Sequence, residues 1–331
     1  MTGRPTMKDV AARAGVSRAL VSIVFRDASG ASEQTRERVR AVAAELGYAP
    51  DRRARALSRR RTQVVGVCFA LGHAFHADLL AGLYRAAAAA GQELALSGAT
   101  PDRDEHEAVA DLLALRCDAV VLLGSALADE ALAALGSSVP TVVVARAARS
   151  PLVDVVRTDD VAGAGLAVDH LVGLGHTRLV HVDGGAAAGA EERRRGFGAA
   201  LGAAGLGPAV TERGGLTEDD GAAAAGRLLA RGPLPTGVTV FNDQSAAGLM
   251  DVLQQAGCRW PEDVSVVGYD DSPLARTRWA RLTTVRQDVD ALSRLAVRRA
   301  VERVEDPDRP AREDLVAPSL VVRGSTGPPR R

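Results

Sequence analysis

Residues 6 to 35 carry an unusual density of hydroxyl and cationic side chains near points where helices would begin. Ser17, Ser22, Ser32 and Thr35 can each donate a hydrogen bond to a phosphate. Hydroxyls and the free amides of a helix N-terminus commonly anchor a protein on a nucleic-acid backbone. The same residue types also cap helices, and for Ser32 that role competes directly. A second group, Gly72-His73-Ala74-Phe75-His76-Ala77-Asp78, has ligand types that zinc accepts. His-x-x-His in a loop is a loose match, so a polar pocket rim is the better reading and no metal or cofactor is expected.

Enzyme chemistry has little to work with. There is no G-x-x-x-x-G-K-[ST] phosphate loop and no G-x-S-x-G nucleophile turn. Gly163-Ala164-Gly165 is too short a glycine pattern for a dinucleotide. The three cysteines, Cys68, Cys117 and Cys258, are far apart and form no C-x-x-C pair, which reads as reduced thiols. No run of 18 apolar residues suggests a membrane span, and Lys8, Asp9, Arg13 and Arg18 break any apolar leader. The expectation is a cytoplasmic chain that is not an enzyme. Its net charge of zero conceals an asymmetry: residues 1–62 hold 14 Lys or Arg against six Asp or Glu, a net of +8, and the remainder is −8. A basic head on an acidic body suits a nucleic-acid binder with a separate regulatory part.

The elements that must position these groups can be read from pattern. The first 48 residues give three helices. Thr6 and Asp9 make a capping-box-like start, Val10, Ala11 and Ala14 supply an apolar face, and Gly15 sits where a helix ends left-handed. Ser17 begins a second helix with Leu20, Val21 and Val24 inward; Ser32 begins a third, with Val39, Val42, Ala43 and Leu46 in helical spacing. Two short helices joined by a Gly turn make a helix-turn-helix, whose second helix can enter the major groove. Residues 49–61 form a basic linker with one short helical pattern. From 63 onward apolar runs alternate with helices: strands at 64–70 and near 94–97, 119–123, 141–145, 179–182, 238–241 and 264–269, with helices near 77–90, 105–115, 161–174, 191–204, 219–231, 243–256 and 288–304. Repeated βα units imply parallel sheets covered on both faces. There are too many for one small sheet, so two doubly wound lobes are expected, with a ligand cleft beyond the carboxyl ends of their strands.

MKDVAARAGVSRALVS, SEQTRERVRAVAAELGYAPDRRARAL, DHLVGLGHTRLVHVDG, ERRRGFGAALGAAGL, FNDQSAAGLMDVLQQAG, WPEDVSVVGYDDSPLA and RLTTVRQD resemble, in order, the lactose-repressor (LacI/GalR) family of transcription factors. The resemblance implies a helix-turn-helix domain over 1–49, a hinge helix over 50–62, and a periplasmic-binding-protein-like body over 63–331. The N-lobe would comprise 63–159 and 288–319, and the C-lobe 160–287 and 320–331. It implies a homodimeric repressor of a pseudo-palindromic operator in double-stranded DNA, controlled by a small effector, a sugar or sugar derivative. The absence of a leucine heptad in the tail 321–329 favours a dimer over a tetramer. The rival reading, a binding protein without DNA function, would need a signal peptide and no basic head.

Carried over residue by residue, the base-reading positions fall on Arg18, Ala19 and Ile23, with Arg26 one turn on. Hinge contacts fall on Arg52, Ala54 and Leu57, the last an apolar wedge for the minor groove. Ile23 departs from the family's usual arginine and can offer only apolar contact, for example to a thymine methyl. Effector contacts fall on Phe75, Arg193, Asn242, Asp270 and Gln287: an aromatic face for a ring, with guanidinium, amide and carboxylate for hydroxyls. Asn242 could equally be a helix cap and Gln287 a structural hydrogen-bonding group. Where the family often has aspartate after its fourth strand this chain has Ala145 followed by Arg146, which suggests a less hydroxylated or anionic effector touching Arg146.

Overall fold

The computed structural model describes residues 5–25, 29–48 and 61–330. The chain separates into two compact units, Met1–Thr62 and Gln63–Arg331.

The head is built from α1 (Met7–Ala14), α2 (Arg18–Phe25) and α3 (Glu33–Glu45). The Thr6 amide and hydroxyl both donate to the Asp9 carboxylate, at 2.7 and 2.6 Å, and fix the start of α1. Gly15 ends it at φ +66°, a conformation that a side chain would strain. Ser17 Oγ accepts the Leu20 amide at 3.1 Å and so begins α2. Val10, Ala11, Ala14, Val21, Val24, Val39 and Ala43 bury together. The expected Leu20 is only half-buried.

The second unit holds two six-stranded sheets. The first contains β1 (Val64–Ala70), β2 (Glu93–Ala99), β3 (Ala119–Leu123), β4 (Thr141–Val144), β5 (Asp154–Thr158) and β11 (Glu313–Val316). Their order is β11-β5-β4-β3-β1-β2, all parallel. The second contains β6 (Leu179–Val182), β7 (Thr211–Glu212), β8 (Gly237–Val240), β9 (Ser265–Asp270), β10 (Thr283–Arg286) and β12 (Ser319–Val321), in the order β12-β10-β9-β8-β6-β7. Only the edge strand β12 is antiparallel. Each central strand is a short apolar run buried on both faces, as parallel sheets require.

Eight helices cover the sheets: α4 (Ala74–Ala89), α5 (Glu105–Ala114), α6 (Asp129–Ser138), α7 (Asp160–Gly173), α8 (Ala190–Ala203), α9 (Glu218–Ala230), α10 (Asp243–Gln255) and α11 (Val289–Glu305). The chain passes between lobes three times: after β5, after β10 and after β11. α11 therefore leaves the second sheet and packs on α4, β3, β4 and β5 of the first.

In the second lobe, helices meet where glycine removes the side chain. A Cβ on Gly221 of α9 would lie 1.8 Å from the Ser245 carbonyl oxygen, and one on Gly248 of α10 would lie 1.8 Å from that of Glu218. This approach fixes α10, which begins just after the cavity-lining Phe241. Gly248→Ala is expected to destabilise the chain by about 1–3 kcal/mol through overpacking. Gly226→Ala, which meets nothing within 4 Å, should leave stability unchanged or raise it by up to about 1 kcal/mol. Urea unfolding of the two variants against the parent checks the contrast.

Candidate functional site

Two surfaces gather the groups singled out from the sequence. On the head, α2 presents Arg18 and Ala19 fully outward and Ser22 and Ile23 half-buried. Ser17 and Ser32 are exposed, but both hydroxyls already serve as caps: Ser32 Oγ meets the Thr35 amide at 3.4 Å and the Thr35 hydroxyl at 2.9 Å. Arg26, Arg52, Ala54 and Leu57 lie outside the described residues.

On the body, a cavity of about 250 Å³ opens at the carboxyl ends of strands from both sheets. Ala70 ends β1, Gly124 and Ser125 follow β3, and Ala145 follows β4. From the other lobe come Ala186, Ala187 and Ala188 after β6, Phe241 after β8, Asp270 at the end of β9 and Gln287 after β10. Six non-glycine residues among those described have positive φ, and two of them, Ala145 (+64°) and Asp270 (+106°), line this cavity. Backbone strain of this kind persists where the surroundings over-determine it, often at binding sites.

Arg193 of α8 is the cavity's central cation and is buried. Its Nε donates to Asp160 Oδ1 at 2.8 Å and its Nη1 to the Phe241 carbonyl at 2.5 Å. The guanidinium is sandwiched, 3.5 Å from the Tyr269 ring centre and 4.5 Å from that of Phe241. Burial opposes its charge, but the neighbouring Asp160, Tyr269 and Asp270 hold its pKa above the ordinary arginine value. Among the described residues Nη2 has no hydrogen-bond partner, leaving its two N–H groups for a guest.

Asp270 supplies a second polar group. Gln287 Nε2 donates to its Oδ1 at 2.7 Å, and Thr158 Oγ1 donates to Gln287 Oε1 at 2.6 Å. Asp270 Oδ2 is left for the cavity. Burial, only partly countered by Arg193, pushes this carboxyl up to about 8. Its neighbour Asp271 is held the other way. Burial acts against its charge too, but bonds from Arg323 and Arg286 keep its pKa below the usual carboxylate range. That anchorage secures the strained Asp270-Asp271 corner.

On the first lobe, His73 and His76 stack with ring centres 4.3 Å apart and planes 11° apart. His76 Nδ1 lies 3.1 Å from the Ala70 amide and 3.3 Å from the Ala70 carbonyl oxygen, which ties the ring to the end of β1. Burial depresses both, His73 to about 4 with help from Arg193, and His76 to about 3 with help from His73. They are neutral near pH 7. Among the described residues no three His, Cys, Asp or Glu side chains converge as a metal site.

Of the residues expected at an effector, Phe75, Arg193, Asp270 and Gln287 line the cavity, although the Phe75 ring also belongs to the first lobe's core. Two expected residues do not. Arg146 does not line the cavity; its Nη1 donates to the carbonyls of Ser125 and Leu127, its Nε to that of Ala147, and it pairs with Asp129. Those carbonyls would otherwise lack donors, and they outcompete a guest. Asn242 is spent as the cap of α10: Oδ1 accepts the Ser245 amide at 2.7 Å and Nδ2 donates to the Leu216 carbonyl at 3.0 Å. Sequence reading missed Asp160, Thr158 and Tyr269. Asp160 follows a strand whose pattern, Asp-Val-Val-Arg-Thr, is half polar and too short to announce itself.

Comparison with known proteins finds relatives over nearly the whole chain. Residues 6–51 match the family described as bacterial regulatory proteins, lacI family, and residues 168–326 match the periplasmic binding protein-like domain. The chain is 32% identical to the HTH-type transcriptional regulator GalR of Escherichia coli (strain K12), over 98% of this chain and 96% of that one. The lac repressor dimer bound to operator and the anti-inducer ONPF is 30% identical, with a TM-score of 0.86 over 98% of this chain and 100% of that one. The transcriptional regulator CelR in complex with cellobiose is 32% identical, with a TM-score of 0.73 over 97% and 100%.

The Asp270 shift has a testable sign. An acid that ionises less readily folded than unfolded favours the folded state at low pH, and that stability is lost as pH rises from the ordinary carboxyl range through about 8. Asp270→Asn removes the titration. Its stability relative to the parent should therefore rise between pH 5 and pH 9, by urea unfolding at intervals across that range. A constant difference would show that Asp270 is ionised in both states.

Proposed function

We propose that this chain, which belongs to the lacI family of bacterial regulatory proteins, represses transcription by binding a pseudo-palindromic operator as a homodimer. It is a DNA-binding transcriptional regulator and not an enzyme. The basic helix-turn-helix of residues 1–49 would carry the DNA contacts, residues 50–62 the hinge, and residues 63–331 effector binding and dimerisation, in the cytoplasm where the DNA lies. Arg18, Ala19 and Ile23 are the proposed base readers, and Ser17, Ser22, Ser32 and Thr35 the proposed phosphate contacts.

One observation carries the regulatory part. A single chain joins a basic reading head to a guest-sized cavity in which, among the described residues, Arg193 Nη2 and Asp270 Oδ2 are left without partners. A guanidinium and a carboxyl lining one cavity suit the hydroxyls of a carbohydrate, and the CelR relative binds cellobiose. A neutral carbohydrate or derivative is therefore the proposed effector. The balance of charge favours neutrality: Arg193 is already paired, and the two imidazoles carry none. Control would follow from differential affinity of the effector for two lobe arrangements.

The free edge of the first sheet suggests where a second copy sits. Among the described residues β2 has no outer neighbour, Leu96 on it is 40% exposed and Leu71 beside Gly98 is 59% exposed. Apolar side chains on an open edge strand invite pairing. Leu96→Arg is expected to convert the dimer to monomer at micromolar concentration in sedimentation experiments, without loss of secondary structure.

Selection of bound duplexes from a random pool, with and without pooled neutral sugars, tests the reading as a whole. An enriched inverted repeat is the expected result, with enrichment changed by one of the sugars. Failure to enrich any repeat in either condition would refute the operator reading.

A further inference from the structure

The outward arc of α2 is chemically divided. Val21 and Val24 are buried in the head's core, and Leu20 and Phe25 lean toward it. The described residues left facing outward are Arg18, Ala19, Ser22 and Ile23. At about 100° per residue, Arg18 and Ser22 fall along one edge of that arc and Ala19 and Ile23 along the other. Each pair is four residues apart, so its members stand one above the other. One edge bears a guanidinium and a hydroxyl. The other bears four aliphatic carbons of Ile23 above one of Ala19.

Ile23 also lies close to the Gly30 turn. Its Cδ1 and Cγ2 lie 3.7 and 3.9 Å from the point where Gly30 would carry a Cβ, and Gly30 turns the chain there at φ +116°. A β-branched side chain on a helix has one strongly preferred χ1, so this group has little freedom to swing away.

An apolar edge cannot exchange hydrogen bonds with a base. Among the base edges in the major groove, the C5-methyl of thymine is the feature that apolar atoms can recognise. Against cytosine or a purine, the same edge would cover amino or carbonyl groups and leave them unpaired, which costs free energy. The head's net charge of +8 over residues 1–62 makes duplex DNA the occupant of this face. We propose that Ala19 and Ile23 form a methyl-reading edge, so that each half-site carries thymine where that edge meets it, beside the base or phosphate that Arg18 holds. The inference rests on the operator reading above and specifies its sequence class.

The test begins with the repeat selected from the random pool. Thymines in each half-site are replaced one at a time by deoxyuridine, which pairs identically but lacks the methyl. Affinity of the full-length chain is read by fluorescence anisotropy at fixed salt. One or two positions should lose about fourfold per methyl, the factor expected for uncovering one methyl-sized group. Ile23→Ala should bind thymine and uracil forms equally at one of those positions, and Ile23→Val should keep part of the difference. Far-ultraviolet circular dichroism confirms that each head is folded. If uracil binds as tightly as thymine throughout, or if Ile23→Ala keeps the full uracil penalty, the methyl-reading edge is wrong while the operator reading stands. If no repeat is enriched, with or without sugars, both fall.

Discussion

The buried pair of Asp160 and Arg193 is the interaction on which the effector cleft depends. Asp160 stands at the first turn of α7, directly after the chain crosses from the first lobe to the second, and Arg193 stands on α8. They meet only because the two helices run unusually close. A Cβ on Gly196 would lie 2.3 Å from the Val161 carbonyl oxygen, one on Gly163 2.3 Å from the Tyr269 hydroxyl, and one on Gly189 2.9 Å from Asp160 Oδ2. Gly189 and Gly196 thus set the spacing that brings carboxylate to guanidinium, while Gly163 lets α7 close on Tyr269 of β9. A buried ion pair adds little net stability, but losing one partner strands the other charge at a cost of about 3–5 kcal/mol. The arrangement is better understood as fixing where a cation stands than as holding the lobe together.

From that fixed point a hydrogen-bonded chain leads out of the cavity. Asp270 accepts from Gln287 and Gln287 from Thr158. Thr158 and Gln287 lie at two of the three passages between lobes. A guest that engages the Asp270 carboxyl therefore touches a group bonded to one passage and, through it, to another. Such a link can bias the relative placement of the lobes only if the guest prefers one placement, which is the thermodynamic content of control at a distance.

Much of the architecture is legible in the chain. The three head helices, their caps and the alternation of apolar runs with helices fall where periodicity puts them, because those elements bury one continuous face. The elements that pattern misses have no such signature. β5 is half polar, β11 reads Glu-Asp-Leu-Val at an edge, and β10 and β12 are short strands flanking passages between lobes. α6 ends in Gly-Ser-Ser, which blurs its helical spacing. At the cleft, residue type locates Arg193, Asp270 and Gln287 through resemblance, but cannot tell which polar group is free. Arg146 and Asn242 have the right chemistry and lose it to nearby backbone groups. His73 and His76, read as rim, are packed into the wall by their mutual stacking.

Five alanines line the cavity, Ala126 and Ala145 from the first lobe and Ala186, Ala187 and Ala188 from the second. Methyl groups have no rotamers to freeze. A guest settling against them demands no ordering of side chains, whereas a wall of glutamine or lysine would lose about 1.5–2 kcal/mol of rotameric freedom for each chain it immobilised. Recognition by these methyls is thus by shape alone, and its selectivity is for what fits: one added methylene on the guest meets carbon that cannot step aside.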